Sequence, residues 1–123
     1  MENISPRFGI LIKVNDLPLC RVFYRDLLEL GEPVFDSSFL TVFRLTDTVS
    51  LTLELSDAKY LERASAATLW SFTCADPEAL RKRLEDAGYS VQLDENRRDG
   101  GSCLRGCDPE GNLFLIRPVD FPG

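Results

Sequence analysis

The sequence predicts an α+β fold built from two βαβββ modules, which together form a curved, open-barrel-like mixed sheet with helices on the outside. Three observations carry this. A strand hands over to a helix twice with the same residue types, three short β-rich runs follow each helix, and the chain length suits one core. At 123 residues, 44% hydrophobic and 28% charged, the chain can bury one substantial core but not two independent ones. The expected organisation is one domain over residues 1–123, with module 1 at about 7–56, a linker at about 57–67 and module 2 at about 68–119.

The first strand is the apolar, β-branched run Phe8 to Val14. Asp16 follows as a helix N-cap and Pro18 suits the first turn, after which Leu19, Val22, Phe23, Leu27 and Leu28 recur at helical spacing. Leu30-Gly31 ends that helix. Pro33 to Asp36, Phe39 to Leu45 and Val49 to Leu55 are the next three strands, parted by Ser37-Ser38 and by Thr46-Asp47-Thr48.

Residues 57–67 form the connection, with a helical turn expected at 58–63. Module 2 then repeats the order. Thr68 to Cys74 is its first strand, Asp76 caps a helix with Pro77 in the first position, and Leu80, Leu84 and Ala87 form the buried stripe before Gly88. Ser90 to Leu93, Ser102 to Cys107 and Asn112 to Arg117 complete the set. The two caps lie 60 positions apart, which places Gly9 on Leu69 and Leu11 on Ser71. Alternation sends Ile10, Ile12 and Val14 towards the helix and leaves Gly9, Leu11 and Lys13 on the other face. In module 2, Trp70, Phe72 and Cys74 face the helix, while Leu69, Ser71 and Thr73 line a groove.

Composition excludes several function classes. The net charge of −6 disfavours nucleic acid and anionic membrane surfaces, and no apolar run reaches the ~20 residues of a membrane span. The first residues lack a basic head and apolar stretch, so a cytoplasmic location is expected, with Cys20, Cys74, Cys103 and Cys107 reduced. The chain has no histidine, which removes both the usual general base near neutral pH and the commonest transition-metal ligand.

Two segments resemble the vicinal oxygen chelate superfamily, the glyoxalase, bleomycin-resistance and extradiol dioxygenase group. Phe23-Tyr24-Arg25-Asp26-Leu27-Leu28-Glu29-Leu30-Gly31 is similar to its Phe-Tyr-x-x-x-Leu-Gly-Leu helix, and Asp108-Pro109-Glu110-Gly111-Asn112 to the turn before its last strand. Both segments serve structure. The resemblance implies a metal held by four side chains, on the first and last strand of each half, and these positions are read here as Gly9, Glu54, Leu69 and Leu115. Glycine and leucine carry no donor atom, so no metal and no cofactor are expected. The resemblance also implies a homodimer.

The groove is expected to hold a small polar or anionic organic ligand. Lys13, Glu54, Ser71, Thr73, Arg105 and Arg117 supply its polar groups, with Leu11 and Leu115 as apolar wall, Phe43 as a further wall residue and Cys103 within reach. Glu54 pairs with Lys13 or Arg105, lies in water at the groove mouth, or orients the ligand. The residues 94–101 form an exposed hairpin loop. The leading reading is a metal-independent binding protein that does not convert its ligand, with no catalytic residue assigned. The alternative is a lyase, isomerase or dioxygenase-like enzyme using a metal-free or atypical site.

Overall fold

Helix caps and strand alternation place most elements where the sequence puts them. The structure is a computed structural model, and it describes residues 7–57, 69–94 and 103–119. The expected helical turn at 58–63 and most of the 94–101 loop lie outside the described residues. The chain divides into two compact units, Met1–Ala64 and Ser65–Gly123.

In the first unit, β1 (Phe8–Val14) leads through Asp16 into α1 (Leu17–Val22), followed by a π-helical turn (Phe23–Leu27). Asp16 Oδ1 accepts the Leu19 backbone N–H at 3.1 Å, as an N-cap should. β2 (Phe35–Asp36), β3 (Leu40–Arg44) and β4 (Val49–Leu55) complete a four-stranded mixed sheet of order β1-β4-β3-β2, with β1 parallel to β4 and the other pairs antiparallel.

Burial shifts the helix stripe from its expected position. Leu17, Cys20, Phe23, Tyr24 and Leu28 are buried, whereas Leu19 and Val22 are exposed. The helix thus turns its smaller Cys20 and its Tyr24 inward, against apolar ranking. Phe23 and Tyr24 meet edge to face at 5.3 Å. Under them lie Ile12 and Val14 of β1, Leu51 and Leu53 of β4, and Phe43 of β3.

Arg21 ties α1 to the β2–β3 hairpin. Its Nε lies 2.9 Å from Asp36 Oδ1 and donates to Thr41 Oγ1 at 3.1 Å, and its Nη2 donates to the Ser37 carbonyl at 3.0 Å. Thr41, fully buried, donates its hydroxyl to Asp36 Oδ1 at 2.9 Å, so its polar atom is satisfied.

The second unit repeats the plan with β5 (Leu69–Cys74), α2 (Pro77–Asp86), β6 (Gln92–Asp94), β7 (Cys103–Cys107) and β8 (Leu113–Pro118), in the order β5-β8-β7-β6. Asp76 caps α2 through Ala79 N at 3.1 Å, and Leu80 and Leu84 are its buried residues; Ala87, expected in the stripe, is exposed. Trp70, Phe72 and Phe114 cluster with ring centroids 5.1 to 6.3 Å apart. Gly106 makes room for them: a Cβ there would lie 2.9 Å from the Phe114 ring. The α+β class and the doubled β-α-β-β-β order therefore hold.

Candidate functional site

The face of each sheet away from its helix, the distal face, carries the polar residues. In the first unit, pairing sets Gly9 beside Ser50, Leu11 beside Thr52 and Lys13 beside Glu54. These six share the distal face because the alternate residues Ile12, Val14, Leu51 and Leu53 are buried against the helix. Lys13 Nζ lies 3.2 Å from Glu54 Oε1, with 30% and 39% of the two side chains exposed. Of the pairings the sequence left open for Glu54, the lysine is the one formed.

Phe43 is corrected. It pairs with Leu51 across β3–β4 and is fully buried on the helix side, so it belongs to the core and not to the ligand wall. The turn at 46–48 sets that register. Val49 receives the backbone of Leu45 and Thr46, and the Thr46 hydroxyl accepts from Val49 N at 3.1 Å.

In the second unit, the distal face is read from three pairings. Ser71 lies beside Leu115, Leu115 beside Arg105, and Arg105 beside Gln92. A parallel row holds Thr73 beside Arg117, with Cys103 and its partner Asp94. Ser71, Thr73 and Arg105 are exposed, and Leu115 and Arg117 are half-buried. Arg105 Nη2 donates to Gln92 Oε1 at 3.1 Å. Gln92 was not anticipated; its place opposite Arg105 depends on the β6–β7 register, which sequence alternation alone does not give. Cys103 is buried, and its thiol donates weakly to Asp94 Oδ2 at 3.8 Å.

The register also revises the metal positions implied by the resemblance. Gly9 pairs with Ser50 as Leu69 pairs with Leu113. Leu115 stands two residues beyond Leu113, so its counterpart in the first unit is Thr52, two beyond Ser50. Glu54 instead corresponds to Arg117. The four equivalent positions are thus Gly9, Thr52, Leu69 and Leu115, which together offer one hydroxyl. That donor set does not fit a divalent metal, which takes carboxylate, thiolate or imidazole ligands. Among the described residues no group of three His, Cys, Asp or Glu side chains is placed to hold a metal ion.

The Asp108-Pro109-Glu110-Gly111-Asn112 turn is structural. Buried Asp108 accepts from Glu110 N at 2.8 Å, Asn112 N at 2.9 Å and the Asn112 side chain at 3.0 Å, while Gly111 takes φ +85°. On the π-helical turn, Arg25 donates to both carboxylate oxygens of Asp26, at 2.9 and 3.1 Å. Those bonds hold the Asp26 carboxyl below its ordinary range.

No family model and no curated protein matches the sequence. Solved structures do match its fold. A glyoxalase/bleomycin resistance protein from Catenulispora acidiphila is 20% identical with a TM-score of 0.69, over 94% of this chain and 99% of that one. A lactoylglutathione lyase from Agrobacterium tumefaciens is 20% identical with a TM-score of 0.72, over 96% of each chain. A bleomycin-binding protein from Streptomyces verticillus, complexed with copper(II)-bleomycin, is 18% identical with a TM-score of 0.66, over 98% of this chain and 100% of that one. At these identities the likeness establishes the fold.

Proposed function

We propose, from the fold it shares with glyoxalase and bleomycin-resistance proteins, that this chain binds a small polar or anionic organic molecule without a metal and without converting it. The observation that carries this reading is the donor set Gly9, Thr52, Leu69 and Leu115. Lyase and dioxygenase chemistry of the kind the resemblance implies needs a metal to polarise an oxygen or activate a nucleophile, and these side chains cannot retain one. Binding by itself requires apolar area and a few oriented polar groups. The distal faces offer both: Leu11 with Lys13, Glu54 and Thr52 in the first unit, and Leu115 with Ser71, Thr73, Arg105 and Arg117 in the second. The bleomycin-binding protein of the same fold supports a role in capture.

The proposal includes a homodimer in the cytoplasm. Large apolar side chains left exposed, Phe8, Phe39 and Leu69 among them, support self-association. All four cysteines are free thiols, which suits a reducing compartment. No helix among the described residues is long and apolar enough to cross a membrane.

A thermal-shift screen with small carboxylates, amines and aromatic compounds tests binding. A true ligand at 100 times its Kd stabilises the fold by ~2.7 kcal/mol. No response across the whole panel overturns the binding reading, and turnover of any compound found to bind overturns the non-catalytic part. Sedimentation equilibrium decides the dimer.

A further inference from the structure

We infer that the distal face of the second unit is an anion-anchoring site, with Arg105 as the residue that grips a carboxylate or phosphate head carried on an apolar body. The inference rests on the binding reading above and names the class of ligand. Its first support is charge. Arg105 is exposed on a regular strand, and among the described residues its one hydrogen bond goes to the neutral amide of Gln92. Gln92 therefore holds one guanidinium nitrogen without neutralising the cation, and the remaining N–H groups of the fork keep the geometry that matches an oxyanion. Lys13 of the first unit differs, since its charge is met by Glu54 at 3.2 Å.

The second support is the row in which Arg105 stands. Leu115 lies between it and Ser71, so the guanidinium and the serine hydroxyl flank a half-buried leucine across about 10 Å, two strand spacings. Leu69 and Leu113 extend the apolar strip in the next row. An organic anion can lay its apolar body on that strip, place its head on Arg105 and accept a hydroxyl hydrogen bond from Ser71. Among the described residues the carboxylate of this face is Asp94, which sits one row away and takes the Cys103 thiol. A free ammonium ligand would meet the positive charge of Arg105 directly and is disfavoured.

Titration of the full-length chain with benzoate, phenyl phosphate, benzyl alcohol and benzylamine, followed by calorimetry and by amide NMR shifts, tests the site. The expected result is that one or both anions bind about tenfold or more tighter than benzyl alcohol at low salt, with shifts on β5, β7 and β8. Which anion binds tells a carboxylate site from a phosphate site. Arg105→Gln should abolish the preference for the anions over benzyl alcohol, and Arg105→Lys should keep part of it. Equal binding of the anions by the native chain and Arg105→Gln overturns the inference, as does equal or tighter binding of benzyl alcohol or benzylamine. In those cases binding itself survives. Absence of binding by all four compounds overturns the anion site, and the wider screen above then decides the binding reading separately.

Discussion

Lys13 and Glu54 show how little a visible ion pair need contribute. Both side chains keep about a third of their surface in water, and a pair so exposed is worth roughly 0.2–1 kcal/mol. A double-mutant cycle with Lys13→Met and Glu54→Gln should therefore return a coupling energy in that range; a value of several kcal/mol would show the pair to be far drier than its exposure indicates. Gly106 should matter more. Its missing Cβ leaves the space that the Phe114 ring occupies, and that ring is wedged against Trp70 and Phe72. Gly106→Ala should cost about 1–3 kcal/mol in urea unfolding, the usual penalty for overpacking. Arg25 and Asp26 give a pH-dependent term. The folded carboxyl titrates below its unfolded value, so the pair's stabilisation is present above that unfolded value and disappears as pH falls through the lowered one. An NMR titration of the Asp26 carboxyl should show that depression vanish in Arg25→Gln. Of these residues, Glu54 was legible in the sequence as a mid-strand carboxylate that needs a cation. Phe43 was misplaced because a one-residue change in the turn before Val49 exchanges the two faces of β3.

The elements were legible where local chemistry alone decides them. Asp16 and Asp76, each followed within two residues by proline, announce both helices, and both carboxylates make the expected bond to the third residue on. Asp76→Ala should accordingly lower stability by ~1 kcal/mol. β1 and β4 match their expected bounds because their β-branched and apolar runs end at clear turn residues. The strand expected over Pro33 to Asp36 is shorter in the structure: Pro33 has no N–H to give, and regular pairing at β2 begins at Phe35. The Arg21 network was illegible, since it joins residues 15 and more positions apart through a hairpin whose register had not been set. Truncating Arg21 to methionine leaves buried Thr41 and the Asp36 carboxylate without their cation. Thermal unfolding should then show a loss of about 1–3 kcal/mol, and an unchanged midpoint would mean that the network contributes nothing net.

For the whole molecule, the doubled plan lets each unit calibrate the other. The resemblance to the vicinal oxygen chelate group, read on the sequence, makes Glu54 the surviving metal position. Strand pairing assigns that role to Thr52 instead and sets Glu54 opposite Lys13. The consequence is testable in both directions. Native protein purified without chelator and dialysed against zinc or manganese should retain no stoichiometric metal, and one equivalent held tightly would overturn the metal-independent reading. The absence of donors is a matter of side-chain choice and not of space: a Cβ at Gly9 would meet nothing closer than the Ser50 hydroxyl at 3.5 Å, an ordinary contact. Gly9→His combined with Thr52→Glu should fit the fold and place an imidazole and a carboxylate diagonally on one sheet face, within reach of a single ion. Competition against a chromophoric chelator should show zinc affinity in the double variant that exceeds that of either single variant and of the native chain. Equal affinity in all four proteins would show that Gly9 and Thr52 are not the paired positions that the register makes them.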